Sequence, residues 1–296
     1  MSSKKSFQVV GLGSVGLFIV AQLIDNHQTV LGFDPRIDEE LNCKFSLTSP
    51  IESRRCDLIV QPELNNEVDV LVVSTKSFSL ESRLLKVLAN ANKPTIFLQN
   101  GLSHVSLISK YFNNPIFCSL SNLQCRLVKD LLSVSSNVSV LSLGVTKTTQ
   151  QLLKDDNLKL AFQSPSLSVK YSDDIEYLLS SKLARWLPLS VVCCFTQKPL
   201  GDALHEFSEN ELADGILAIC NFLNLRNLQT FEPTQVLAQL KALPKELLPS
   251  SFHDYSSKKT TEAELELEFI LSQSLDLDFD TSVLKLWKDR FQSARI

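Results

Sequence analysis

The sequence predicts an α/β chain in two parts, a parallel sheet with crossover helices followed by an all-helical domain. Three observations carry that prediction. Strands alternate with helices through the first hundred residues, a glycine-rich turn joins the first strand to the first helix, and from Ser172 onward the apolar spacing is mainly helical. The expected division falls at residue 172, giving domains 1–172 and 173–296.

Taken in order, residues 7–10 read as a short apolar strand, and Gly11, Leu12, Gly13, Ser14, Val15 and Gly16 follow at once. Residues 17–24 have helical spacing, and 29–33 form a second strand that ends at Asp34. A buried strand over 68–74, a helix over 79–91 and a strand over 94–98 complete the alternation. Segment 143–170 is polar and reads as turns, whereas 173–197, 208–224, 233–243, 261–273 and 281–293 read as helices. Glycine is scarce, 8 in 296 against an average near about 7%. Each one is therefore informative, and Gly101, Gly144 and Gly201 are expected at turns.

Composition narrows the function classes. The net charge of −4 carries no basic stripe, so no nucleic-acid partner is expected. No apolar run approaches the ~20 residues of a membrane helix, and the start Met1-Ser-Ser-Lys-Lys-Ser6 lacks a signal-peptide pattern. Seven cysteines without a CxxC pair fit reduced core thiols better than a disulfide framework or a zinc site. The expected setting is cytoplasmic, as a monomer or homodimer without a metal or a membrane partner.

The turn after the first strand has the chemistry of a dinucleotide cradle, and its place between strand and helix is the context that pattern requires. Gly11 permits the tight turn, Gly13 lets the backbone approach a pyrophosphate, and Gly16 lets helix and strand pack closely. The amides of Gly11 through Gly16, with Leu12, Ser14 and Val15 between the glycines, then face the anion. Asp34 lies 23 residues after Gly11, where a carboxylate accepts hydrogen bonds from the adenosine ribose and repels a 2′-phosphate. Arg36 would neutralise such a phosphate. The choice between NADH and NADPH therefore stays open, and the fold expected for residues 1–172 is a Rossmann domain.

Further residues stand at the ends of predicted elements. Lys76 follows the strand 68–74, Asn100-Gly101 follows the strand 94–98, and Lys182 lies on the first helix of the second half, with Ser250, Asp254 and Glu262 beyond it. As an ordered set with Thr75, Gln99, Ser181, Leu183, Ala184, Gly201 and Thr261, they resemble the ketopantoate reductase (2-dehydropantoate 2-reductase) family over nearly the full length. The family places a glycine 19 residues after its helical lysine, as Gly201 follows Lys182, and its glutamate 12 residues after its serine, as Glu262 follows Ser250.

That resemblance implies a Rossmann domain joined to an all-helical domain like the C-terminal domain of 6-phosphogluconate dehydrogenase, with the chemistry in a cleft between them. It implies Lys182 as the general acid that protonates the ketone oxygen, Glu262 as the carboxylate near that lysine and the substrate hydroxyl, and Ser250 as the holder of the substrate carboxylate. Lys76 and Asn100 resemble the pair that contacts the nicotinamide ribose and the substrate side of the cofactor. The family commonly has asparagines four and eight residues after its lysine, lining the substrate site. Here these positions are Trp186 and Ser190, and Leu267-Glu268 stand where the family has Asn-Gly. The expected function is NADPH- or NADH-dependent reduction of a small 2-oxo acid, like the step of pantothenate biosynthesis but on a divergent substrate. The alternative is a catalytically impaired homologue that binds nucleotide and acts through partners.

Overall fold

The computed structural model describes residues 4–146, 155–226, 230–275 and 277–294, so part of the expected polar stretch, 147–154, and the start 1–3 lie outside the described residues. The chain divides into two compact units, Met1–Gln99 with His104–Ile175, and Asn100–Ser103 with Glu176–Ile296.

In the first unit the strands are β1 (Ser6–Val10), β2 (Thr29–Phe33), β3 (Leu41–Thr48), β4 (Ser53–Gln61), β5 (Val70–Val73), β6 (Thr95–Phe97), β7 (Ile116–Ser121), β8 (Cys125–Val128), β9 (Leu131–Val134), β10 (Ser139–Gly144) and β11 (Leu167–Tyr171). Helices α1 (Ser14–Asp25), α2 (Ser82–Asn90), α3 (Ser103–Ile108, its first residue in the other unit) and α4 (Asp156–Phe162) connect them. They form one sheet in the order β11-β10-β7-β6-β5-β1-β2-β4-β3-β9-β8. The run from β7 to β4 is parallel throughout. Counting only its six strands in chain order, the spatial order is 3-2-1-4-5-6, the dinucleotide-binding arrangement. The order reverses between β1 and β5, and the glycine turn begins at the carboxyl end of β1.

β1 reads as a continuous apolar run because it is covered on both faces, with Phe7 through Val10 all buried. Its one buried polar residue, Gln8, is paired: Nε2 donates to Glu63 O at 3.1 Å, and Oε1 accepts from Asn65 N at 2.8 Å. α1 buries eight consecutive residues, Gly16 through Leu23, which explains why its sequence is apolar almost all round.

The expected parallel sheet is thus the centre of a mixed one. β3 and β4 form an antiparallel hairpin in register from Leu41↔Val60 to Thr48↔Ser53, β8 and β9 a second, and β10 runs antiparallel to β7. The 143–170 stretch is not simply turns, since it holds the end of β10, α4 and β11. Gly144 ends β10, and Gly201 lies inside a helix rather than at a turn. Cys43 is exposed and Cys125 half-buried, so the cysteines are not all core residues.

The second unit is helical: α5 (Ile175–Thr196, its first residue in the other unit), α6 (Leu200–Glu206), α7 (Glu209–Leu225), α8 (Pro233–Lys241), α9 (Ser250–Ser256), α10 (Glu262–Gln273) and α11 (Ser282–Ser293). α5 has 22 residues and mean hydropathy 1.3 in its most apolar window. By length and composition it could cross a membrane, which corrects the expectation of no such run. Two features mark it as the core helix of a helical unit: 67% of that window is buried in the protein, and it carries Lys182 and Arg185. α10 is the unusual element. Thr261 caps it by accepting from Glu264 N at 3.2 Å, yet Glu262, Glu264 and Glu266 are all buried. Glutamates are almost never fully buried unless paired, so this helix signals a polar centre.

Candidate functional site

The glycine turn divides its labour. Gly11 has φ +91°, and a Cβ there would lie 2.6 Å from Thr75 N. A Cβ on Gly16 would lie 2.0 Å from Gly11 O and 2.5 Å from Ser74 Oγ. Both glycines therefore exist for packing at the ends of β1 and β5. Gly13 is different: it has ordinary extended backbone, and a Cβ there would meet nothing within 4 Å. It is also the N-cap of α1 and offers no side-chain cap, so the positive end of the helix is left without a protein oxygen from that position. Open space over Gly13 beside uncapped amides fits a pyrophosphate.

The side chains between the glycines are committed elsewhere. Leu12 and Val15 pack against the core, and Ser14 Oγ accepts from Leu127 N at 3.0 Å. The cradle is backbone. Asp34 follows β2, and its carboxylate is gripped by Arg36, Nε to Oδ1 at 2.8 Å and Nη2 to Oδ2 at 2.6 Å. The hydrogen bond from Arg36 is the largest cause holding the Asp34 carboxyl below its ordinary range. Lys76 lies at the carboxyl end of β5, just before the 3₁₀ turn Ser77–Ser79.

In the second unit three of the expected residues meet. Lys182 Nζ donates to Asn100 Oδ1 at 2.6 Å, and Asn100 Nδ2 donates to Glu262 Oε2 at 3.4 Å. Only one orientation of the Asn100 amide satisfies both, with its oxygen toward the ammonium and its nitrogen toward the carboxylate. Burial lowers the Lys182 pKa to about 8; the charge of Glu262 opposes that shift, and Arg185 adds to it. A lysine so placed is still mostly cationic at neutral pH but gives up its proton far more readily than a surface lysine.

The other expected residues of the second unit lie on α5 and α9. Trp186 is half-buried one turn along α5, Ser190 is fully buried with its Oγ unpartnered, and Ser250 is exposed as the first residue of α9.

Sequence reasoning missed Glu266. It lies four residues after Glu262, one turn along α10, and is fully buried. Its carboxylate accepts from Leu102 N at 2.9 Å, Ser103 N at 3.1 Å and Ser103 Oγ at 2.5 Å. Burial, despite those bonds, pushes its pKa up to about 7, and Glu262 adds to the rise. Gly101, at φ +84°, admits the close approach, because a Cβ there would lie 2.1 Å from Glu266 Oε1. The available signal was the spacing of Glu262 and Glu266, which puts both on one helix face.

Comparisons with known proteins bear on the fold and on part of the sequence. The model of the family "Ketopantoate reductase PanE/ApbA" matches residues 7–140. Among solved structures, the 2-dehydropantoate 2-reductase of Geobacter metallireducens GS-15 has 18% identity and a TM-score of 0.81, covering 98% of this chain and 99% of its own. A D-mandelate dehydrogenase in a ternary structure with NADH and anilino(oxo)acetate has 16% identity and a TM-score of 0.81, covering 98% of each chain. The dimeric ketopantoate reductase of Staphylococcus aureus has 14% identity and a TM-score of 0.76, again over 98% of each. Among curated proteins, none matches the sequence. Identities this low establish the fold alone, but the family model reaches the sequence itself through the first unit's parallel strands. Residues 7–140 of this chain match the family model of the ketopantoate reductases, and the fold of the solved 2-dehydropantoate 2-reductases extends along almost its whole length.

Proposed function

We propose that this protein reduces a small 2-oxo acid to the 2-hydroxy acid with NADH or NADPH. The observation that carries the reading is the Lys182–Asn100–Glu262 cluster, in which a lysine with a pKa near 8 is oriented by a neutral amide beside a carboxylate. The D-mandelate dehydrogenase of the same fold, with its NADH and anilino(oxo)acetate, supports both the cofactor and the oxo-acid class.

The reduced nicotinamide supplies the hydride. The backbone around Gly13 would hold the pyrophosphate, Asp34 and Arg36 would meet the adenosine ribose, and Lys76 would contact the nicotinamide ribose. Lys182 donates its proton to the carbonyl oxygen as negative charge develops there, and its ammonium stabilises that charge beforehand. Asn100 accepts one ammonium hydrogen and so fixes the direction in which the ammonium group points. Glu262 keeps the lysine charged against its burial. Ser250 serves the substrate carboxylate, and Trp186, with Ser190 behind it, limits the size of the acid's side chain.

The test is oxidation of NADH and NADPH, followed by absorbance, with a panel of 2-oxo acids that includes ketopantoate and aromatic members. Turnover with at least one acid is expected, and the reading requires the 2-hydroxy acid as product. Tight cofactor binding with no turnover on any acid would instead favour a nucleotide-binding protein that acts through partners.

A further inference from the structure

We propose that Glu266 is a positioning residue, a carboxylate clamp on the Asn100–Ser103 segment that holds the Asn100 amide between Lys182 and Glu262. The proposal rests on the reductase reading for its functional meaning, but its geometry stands independently. Three donors converge on this one carboxylate: the backbone N–H groups of Leu102 and Ser103, and the Ser103 hydroxyl. Gly101 lies against the same oxygens so closely that no side chain fits there. The bonds to Glu266 therefore anchor the segment to α10 one and two residues beyond Gly101, close to the residue that orients the lysine.

A clamp of this kind suits a neutral orienting group. Asn100 has no charge to hold it in place, and its 3.4 Å bond to Glu262 is long. Left to those bonds alone, the amide could turn its nitrogen toward Lys182 and present a donor to a donor. With the backbone fixed on Glu266, the side chain has few rotamers left. A fully buried glutamate is costly in a helix, and its three hydrogen bonds are what offset that cost. Burial keeps its pKa near 7, so the acceptor is present at neutral pH in both protonation states, but with fewer lone pairs free when protonated.

Glu266→Gln tests this without removing bulk. Glutamine keeps one acceptor oxygen and turns an NH2 toward donors, so the segment loosens. The readout is the titration of Lys182 in protein labelled with 13C-lysine, the signal being assigned by its loss in Lys182→Arg. Losing the aligned Asn100 acceptor should lower the Lys182 midpoint by about one unit, since a hydrogen bond to a charged group is lost. In an Asn100→Ala background, Glu266→Gln should then cause no further shift. Amide exchange at Leu102 and Ser103 should accelerate in Glu266→Gln. An unchanged midpoint, or an equal shift in both backgrounds, would overturn the proposal, because Glu266 would then be inert or would act through its own field. Arg185 and Glu262 also face Lys182, but they are present in every arm. Should Glu266→Gln fail to fold, Ser103→Ala removes one of the three donors and keeps the carboxylate, with the same outcomes expected at smaller size. Neither readout needs a substrate, so failure of the clamp and failure of the reductase reading are separately visible.

Discussion

The glycine cradle of the first unit and the lysine cluster of the second are made of different material. The cradle uses backbone from six consecutive residues, and the side chains within it, Leu12, Ser14 and Val15, are turned to packing. The cluster uses side chains from three segments, with Asn100 and Glu262 separated by 162 positions, and a fourth side chain, Glu266, bonds the backbone two residues beyond Asn100. A backbone site tolerates drift in its side chains but not in its glycines. A side-chain site tolerates drift in the chain between its members but not in the members themselves. The low identity to solved relatives, 14–18% for the three described, is what such an arrangement permits.

The largest effect that would break this contrast is at Lys182. Lys182→Ala should reduce turnover by ~10²–10⁴-fold, the range for a general acid, while cofactor affinity stays near wild type. In the wild type, the rate of reduction should fall as pH rises through about 8, because the proton donor is lost when Lys182 deprotonates. The reverse oxidation should rise over the same interval, since it needs the neutral amine. Steady-state kinetics in both directions checks all three. Wild-type turnover in folded Lys182→Ala would remove the cluster from the chemistry.

The next effect separates glycines that look alike in the sequence. Gly13→Val places its side chain in open space, so the fold should stand while NADH binding weakens by ~10²-fold or more, as the phosphates lose their approach. Gly16→Ala does the reverse. Its Cβ would overlap Gly11 O and Ser74 Oγ, so stability should fall by about 1–3 kcal/mol, the usual cost of overpacking. Fluorescence titration and urea unfolding, run on both variants, distinguish the two roles. Equal loss of stability in both would mean that Gly13 is structural as well.

What the sequence made legible follows the same division. The run from Gly11 to Gly16 was readable because its elements are contiguous and each glycine answers a local steric demand. The five long helices were readable from apolar spacing, to within about two residues at most ends. The sequence reading assigns no element between Asp34 and residue 68, so it lacks the β3–β4 hairpin, although Cys56, Leu58 and Val60 alternate with exposed residues there. Asn100, Lys182 and Glu262 became a group only through family resemblance, since no local pattern links residues so far apart. Glu266 was hidden for a further reason. In sequence it is one acid among Glu262, Glu264, Glu266 and Glu268, and an acidic run ordinarily reads as a solvated face. Its burial depends on the shape of the segment it clamps.

The smallest expected effect sharpens the comparison at the one place where the cradle does use side chains. Arg36 holds both oxygens of Asp34, but the Arg36 side chain is 85% exposed, so the pair is screened and opens at a cost of about 1 kcal/mol or less. Each partner masks the other's preference. A free Asp34 carboxylate accepts from the adenosine ribose hydroxyls and repels a 2′-phosphate, whereas a free Arg36 attracts it. Arg36→Ala should therefore shift the ratio of affinities toward NADH by up to about tenfold, and Asp34→Asn should shift it toward NADPH by a similar factor. Both shifts should shrink as ionic strength rises, because the charges face solvent. Competitive titration of the two cofactors at low and high salt measures the ratio directly. If both variants weaken NADH and NADPH by the same factor, the pair supports the loop after β2 and does not read the 2′ position, and the cradle is then backbone from end to end.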